Sequence, residues 1–250
     1  MDHDSMQHFS AGLSTLLLAY VVSVIGSLIG LACMARARAE PTRATKVRWT
    51  AFGAVAIGGV AIWLMHFIAM LGFDVPGVPI KYSVPLTALS AVVAIAVVGL
   101  GLSLVTLIRF TAVRLLVAGT LAGLGVAVMH YVGMSAIRFR GDLSYDPRLV
   151  ALSFVVAVVA ATAAFWFTLV VEAAAARLAA GLIMGVAVTG MHYTGMAAVR
   201  VTTDPAVAAP QGTTAFDLVF PVFVLSALVV AALLWMLFTA DDDDVPGGIA

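Results

Sequence analysis

Residues 65–70 read Met-His-Phe-Ile-Ala-Met, and the pattern returns at residues 129–134 as Met-His-Tyr-Val-Gly-Met and at residues 191–196 as Met-His-Tyr-Thr-Gly-Met. The three copies hold three of the five histidines and six of the eleven methionines. The first and second histidines are 64 residues apart and the second and third are 62 residues apart, which is the length of one helical hairpin. We therefore expect a repeated helical unit that places three histidines at equivalent positions.

The composition is that of an integral membrane protein. Hydrophobic residues make up 63% of the chain and charged residues 10%, and the mean hydropathy is +1.12, which exceeds what a soluble domain carries. The net charge is zero and no basic patch is interleaved with aromatic residues, so a nucleic-acid partner is excluded. Cys33 is the single cysteine, which excludes an intramolecular disulfide and a thiolate cluster.

Seven apolar stretches are long enough to cross ~30 Å of lipid hydrocarbon as helices. They lie at about residues 10–34, 49–72, 84–108, 113–136, 149–171, 177–199 and 217–239. The sequence thus predicts a membrane domain over residues 10–239, between an N-terminal tail of residues 1–9 and an acidic tail of residues 240–250. The connecting loops are short and rich in proline, and we expect none of them to hold a folded domain.

Basic residues are distributed unequally between the two sets of loops. One set carries eight, with Arg36, Arg38, Arg43, Lys46 and Arg48 in the first loop and Arg109, Arg114 and Arg177 in the other two. The opposite set carries five, namely Lys81, Arg138, Arg140, Arg148 and Arg200. The positive-inside rule therefore predicts an N-terminus outside and a C-terminus inside the cell.

The similarity between the copies extends beyond the six-residue pattern. A glycine stands seven residues before each histidine (Gly59, Gly123 and Gly185), and residues 86–90 of the third span correspond to residues 149–153 of the fifth. The predicted fold is all-α, with seven transmembrane helices. Three two-helix repeats surround a quasi-threefold axis along the membrane normal, and a seventh helix is added to them.

The repeat places the histidines at one depth. Each lies about eight residues, or ~12 Å, before the outer end of its predicted span, and the glycine seven residues before it falls on the same helix face. Small residues on that face allow close helix contacts, and ionisable side chains within spans usually face the bundle interior and mark a functional site.

The residue types favour copper. Imidazole from His66, His130 and His192 and thioether from Met70, Met134 and Met196 form a soft donor set, and thioether selects copper over zinc, magnesium or calcium. Neither acidic nor basic residues lie in the middle of any span, so the histidines have no intramembrane charged partner. The alternative is a duplicated hairpin that kept a tight helix contact, with each imidazole bonded to a carbonyl or a tyrosine.

Two further groups of residues are weaker candidates. The hydroxyls of Ser90, Ser153, Tyr131 and Tyr193 are candidates for hydrogen bonds that support the imidazoles. His3, Met6 and His8 in the N-terminal tail are candidate donors for metal entry, although a solvated tail is the simpler interpretation.

The repeated Met-His-aromatic pattern, with Met-His-Tyr-Thr at residues 191–194, resembles the MHYT family of bacterial membrane sensor domains. The resemblance implies a seven-span protein of the bacterial inner membrane with its motifs near the outer face. It also implies a copper site that binds a diatomic gas such as O2, CO or NO. Copy one departs from the family pattern, with Phe67 in place of tyrosine and Ala69 in place of glycine.

Three functions remain open at this point. The first is a sensor of a diatomic gas or of redox state; because the sequence ends soon after the seventh span, we expect it to be a stand-alone form that signals through a partner. The second is a copper carrier or chaperone for a respiratory or CO-oxidising enzyme. The third is a haem protein ligated by two histidines. We expect no enzyme activity, because a zinc hydrolase needs an intramembrane carboxylate, and a retinal protein is excluded because no lysine lies in a span.

Overall fold

A computed structural model describes residues 13–242 as seven long helices. They are α1 Leu13–Ala39, α2 Arg43–Met70, α3 Val84–Thr106, α4 Ala112–Met134, α5 Pro147–Val170, α6 Ala174–Ala197 and α7 Ala215–Asp242. All seven are long and apolar enough to cross a membrane. Each overlaps one predicted span, and the predicted all-helical class with seven transmembrane helices is confirmed.

Local sequence signals begin several of these helices. The side chain of Thr42 accepts a hydrogen bond from Thr45 N at the start of α2, and Thr111 caps α4 in the same way through Arg114 N. Proline stands in the first turn of α3 and of α5, where a missing N–H is tolerated. These signals define where α2, α3, α4 and α5 begin.

The middle of α2 departs from ordinary α-helix. Residues Arg43–Ala54 and Met65–Met70 are α-helical, and Val55–Leu64 between them form a π-helix. Hydrogen bonds in a π-helix run from residue i to i+5, so each turn holds more residues than an α-helical turn. Consequently α2 contains one extra residue before its histidine compared with α4 and α6.

Six helices close into a ring. Each contacts the next in chain order from α1 to α6, and α6 contacts α1 to complete the circle. The seventh helix, α7, lies outside the ring against α1 and α2. The predicted arrangement of three two-helix units and an added helix is therefore confirmed.

Glycines bring the units together at three equivalent contacts. A β-carbon added at Gly123 would lie 2.7 Å from Val158 N of α5, and one added at Gly185 would lie 2.6 Å from Val24 Cγ2 of α1. In copy one the same role belongs to Gly58, where a β-carbon would lie 2.8 Å from Ala94 O of α3. The prediction that Gly59 lies on this contact face is wrong, because the π-helix shifts the face by one residue.

The loops at the histidine end form a compact cap, defined here as residues 71–83, 135–146 and 198–214. Strand β1 (Lys81–Tyr82) pairs with β2 (Ile137–Arg138), and β3 (Gly141–Tyr145) pairs with β4 (Val199–Thr203), both antiparallel. An isolated bridge joins Tyr82 to Thr213. The loops were expected to be short, rich in proline and without a folded domain; backbone pairing between the three units was not predicted, and it joins them into one lid.

Candidate metal centre

The three histidines meet on the ring axis near the cap. His66, His130 and His192 lie in the last turns of α2, α4 and α6, and their exposed fractions are 4%, 0% and 1%. The helices end only four or five residues beyond each histidine, at Met70, Met134 and Ala197. The expected distance of about eight residues is therefore wrong, because the last part of each predicted span belongs to the cap.

The imidazoles form a triangle with their Nδ1 atoms inward. His66 Nδ1 lies 3.0 Å from His192 Nδ1 and 3.3 Å from His130 Nδ1. All three pairs of ring centroids are 5.0 Å apart, with interplanar angles of 75°, 72° and 83°. One ligand nitrogen from each of the three imidazoles lies within 4.8 Å of the other two, so the rings are placed to hold one metal ion.

Hydrogen bonding alone cannot satisfy this arrangement. Each Nδ1 carries either one proton or one lone pair, directed in the plane of its ring. Because one lone pair in the ring plane cannot point at two donors, the two contacts at His66 Nδ1 cannot both be well-directed hydrogen bonds. A cation at the centre accepts three lone pairs at once, so the chemistry of the donor set fits a metal ion.

The cluster contains no other titratable ligand. Among the residues that the structure describes, these histidines are the one group of His, Cys, Asp and Glu side chains placed to hold a metal ion. Cys33 is buried and belongs to the large core cluster of the helices rather than to the histidine group. A bound ion would therefore be held by neutral imidazoles. The other donor group that the motif offers is the thioether of methionine.

Glycines of the motif make room for the rings. A β-carbon at Gly195 would lie 2.5 Å from His130 Nε2, and one at Gly133 would overlap His66 Nε2. The imidazoles of His66 and His130 thus pack against the motif glycine of the following copy. By the same repeat, we expect Ala69 of copy one to lie beside His192. The sequence analysis did not predict this role of the motif glycine. The signal for it was that glycine stands three residues after the histidine in both copy two and copy three.

The methionines at i+4 form a layer one helical turn closer to the cap. Met70, Met134 and Met196 are 3%, 0% and 2% exposed and belong to one cluster with cap residues such as Tyr82 and Phe139. The methionine that precedes each histidine lies elsewhere: Met129 and Met191 belong to the large core, and Met65 to a cluster beside α7. The i+4 methionines are therefore the ones that share a single layer next to the imidazoles.

The hydroxyl candidates bond to aromatic residues and carbonyls instead of to imidazole. Ser90 Oγ accepts a hydrogen bond from Trp63 Nε1 at 3.0 Å and donates to Thr87 O. Ser153 Oγ lies 2.8 Å from Tyr131 Oη and donates to Val150 O. The rings of Tyr131 and Tyr193 stand edge-on to His130 and His192, with centroids 4.9 Å apart. These residues form an aromatic wall around the site. The other weaker candidates, His3, Met6 and His8, lie outside the described residues.

Comparison with known proteins places the repeats in a family. The model of a family described as MHYT, bacterial signalling protein N-terminal repeat, matches residues 59–118, 123–181 and 185–243. The chain belongs to the MHYT family. Each match begins at the glycine seven residues before a motif histidine, so the family repeat pairs a histidine helix with the helix that follows it. When the chain is divided in this way, α7 is the second helix of the third repeat and corresponds to α3 and α5. Because α7 lies outside the ring, α1 takes the ring position between α6 and α2.

Curated relatives are signalling proteins of much greater length. The bifunctional diguanylate cyclase/cyclic di-GMP phosphodiesterase MucR of Pseudomonas aeruginosa is 34% identical over 185 residues, which is 72% of this chain and 27% of that protein. The cyclic di-GMP phosphodiesterase NbdA of the same organism is 31% identical over 199 residues, 77% of this chain and 25% of that protein. An uncharacterized signaling protein of Caulobacter vibrioides is 30% identical over 62% of this chain and 19% of its own length.

The MHYT chain thus spans about a quarter of the length of these first two relatives. No solved structure matches it. The seven helices and the family together describe a multi-pass protein of the bacterial inner membrane.

Proposed function

We propose that this MHYT domain holds one copper ion between His66, His130 and His192 and senses a diatomic gas or a change of redox state there. The observation that carries the proposal is the meeting of three buried imidazoles, with His66 Nδ1 3.0 Å from His192 Nδ1 and 3.3 Å from His130 Nδ1. Neutral imidazoles in an apolar site with a methionine layer beside them suit Cu(I), which thioether ligands select. When bound, copper would supply reversible ligand binding and one-electron chemistry.

The protein's own part in sensing is to couple the histidines to helix packing. Met65, Ile68 and Ala69, which lie beside His66 on α2, belong to a buried cluster against which Val222, Phe223, Val229 and Val230 of α7 pack. A change in the position of His66 is therefore passed to α7, the last helix of the repeats. The family description places these repeats N-terminal in signalling proteins, so α7 is the route by which a partner or a following segment would receive the signal.

The proposed orientation puts the cap outside the cell. The loops at the other end carry eight of the basic residues, and the positive-inside rule assigns that end to the cytoplasm. The metal centre would then lie in the outer part of the bilayer, under a lid that faces the periplasm.

The two competing functions account less well for the geometry. A haem needs its two axial ligands on opposite faces of a porphyrin, whereas the three rings here pack against one another with no space for a macrocycle. A copper carrier must exchange its ion readily, but the histidines are almost fully buried beneath the methionine layer and the cap. Sensing at a retained ion fits this enclosure better.

The test is metal analysis of the protein purified in mild detergent from copper-replete cells. We expect one copper ion per chain in the wild type and a loss of bound copper in His130→Gln. The variant Cys33→Ala is the matched control and keeps its copper, because the thiol is not part of the site. A folded wild type without copper would reject the proposal, and rapid loss of copper to a mild chelator would favour the carrier.

A further inference from the structure

A small cavity lies in the ring interior, beside the histidine centre on the side away from the cap. It has a volume of about 40 Å³ and is lined by residues of α2, α4, α5 and α6. Its buried lining residues include Ile62, Val126, Met184 and Met191. Met191 directly precedes His192, so the cavity ends one residue from a ligand of the proposed metal centre.

The cavity arises from a difference between the second and third units. Val97 of α3 packs tightly against α4 in unit two, where a β-carbon at Gly125 would lie 2.5 Å from Val97 Cγ1. The corresponding residues of unit three are Ala160 on α5 and Ala187 on α6, and both line the cavity. The neighbouring Val98 is likewise replaced by Ala161, another lining residue. Loss of the valine side chains on α5 leaves the space.

The chemistry of the wall restricts what can bind. Every lining side chain is hydrocarbon or thioether, so water would find no hydrogen-bond partners and an ion would pay its full desolvation cost. A space of ~10–15 Å³ in this measure holds one water-sized molecule. The volume therefore suits one small apolar molecule and is too small for a lipid chain or an organic ligand.

Access is from the lipid side. Ala160, Ala164 and Ala187 are partly exposed, whereas Ala157 and Met191 are buried, so the cavity is reached between α5 and α6. The cap covers the opposite approach with a buried apolar cluster. Small apolar molecules concentrate in hydrocarbon, which makes the bilayer their natural source.

We infer that this cavity is a docking site for one small uncharged apolar molecule, of the size of a diatomic gas or a xenon atom, on a path from the bilayer to His192. The inference that a molecule binds in the cavity rests only on the lining residues and the volume of the cavity. The step from the cavity to the histidines rests on the proposed function.

Xenon tests the docking site directly, because it needs no metal. Crystals or detergent samples of the wild type under xenon pressure should show one xenon atom in the cavity, by anomalous diffraction or by 129Xe NMR. The double variant Ala160→Val/Ala161→Val introduces the residues that unit two already carries and should lose this xenon. Ala151→Val, on the exposed face of the same helix, is the matched control and should keep it.

The experiments distinguish failure of the docking site from failure of the path to His192. No xenon in the wild-type cavity, or equal occupancy in the double variant, would overturn the docking site whatever the copper content. For copper-loaded protein, carbon monoxide should rebind after photolysis at least several-fold more slowly in the double variant than in Ala151→Val. An unchanged rate would overturn the path. Xenon binding without copper would reject the proposed function and leave the docking site intact.

Discussion

At the scale of single residues, the site depends on what surrounds the imidazoles as much as on the imidazoles themselves. The rings meet because Gly133 and Gly195 have no β-carbon and let the neighbouring imidazole approach the backbone. The aromatic residues that follow His130 and His192 fix the rings edge-on. The motif is therefore a packing unit in which each residue serves the histidine of its own or the adjacent copy.

Gly195→Ala tests this packing. The added methyl group would lie 2.5 Å from His130 Nε2 and push the ring off the axis, so copper affinity should fall at least about tenfold, or ~1.4 kcal/mol. Gly190→Ala on the same helix is the control, because a β-carbon there meets nothing within 4 Å. Competition with a Cu(I) chelator measures both, and equal affinities would show that the glycine has no such role.

The ligand types were predictable from the sequence, but their surroundings were not. Three equally spaced histidines with i+4 methionines identify the candidate donors without any coordinates. The pairing of Ser153 with Tyr131 and of Ser90 with Trp63 was not predictable, because it depends on which helices are neighbours across units. Helical periodicity locates a residue on its own helix and gives no information about the helix that faces it.

At the scale of secondary structure, α2 differs from its two counterparts. Its π-helical segment precedes His66 and moves the close contact with α3 from Gly59 to Gly58. The pattern of apolar residues does not distinguish a π-helix from an α-helix within an apolar stretch, so this segment could not be predicted.

The two adjacent glycines of α2 should respond oppositely to alanine. Gly58→Ala places a β-carbon 2.8 Å from Ala94 O and Ile95 Cα, and we expect overpacking to lower the free energy of unfolding by about 1–3 kcal/mol. Gly59→Ala places it 3.4 Å from Ile95 Cδ1, an ordinary contact, and should be neutral or stabilising because alanine favours helix by up to ~1 kcal/mol. Thermal unfolding in detergent measures both, and the reverse order would mean that α2 is α-helical throughout.

The cap contributes a pH dependence through Asp146. Its carboxylate accepts a hydrogen bond from Arg148 N at 2.9 Å and pairs with Arg200 at 3.0 Å, and these two interactions hold the pKa of Asp146 below its usual range. A lowered folded-state pKa stabilises the protein above the unfolded pKa of ~3.9, and the gain is lost as pH falls through the folded value. Melting temperatures of Asp146→Asn and wild type should therefore differ at pH 7 and converge towards pH 3; a constant difference would contradict this.

At the scale of the whole molecule, the ring and the cap enclose the histidines on all sides except through the membrane. The seven-helix plan and the threefold repeat could be predicted, because span length and the spacing of the motifs are properties of the chain alone. The closure of the ring by α1 could not, because it rests on the packing of Gly181 and Gly185 against side chains of a helix about 150 residues earlier.

Labelling of introduced cysteines tests the proposed orientation. In a Cys33→Ala background, Thr202→Cys in the cap should react with a membrane-impermeant maleimide in intact spheroplasts. Phe110→Cys in the loop at the other end should react only after permeabilisation, and both positions are exposed. The opposite pattern would place the histidines near the cytoplasm and would reject a periplasmic lid.

Ring closure by α1 also dictates an order of events during biosynthesis. α1 is the first of the described helices to be made, and about 135 residues separate its end from the start of its partner α6. Until α6 is inserted, the edge of α1 that carries Tyr20, Val24 and Leu28, on which Gly181 and Gly185 later pack, faces lipid or the insertion machinery. The trio of histidines is complete only when the last of them has been translated, so the nascent chain has no finished metal centre before that stage. Loading of the proposed copper ion would accordingly be a late, post-insertion event in the life of this protein.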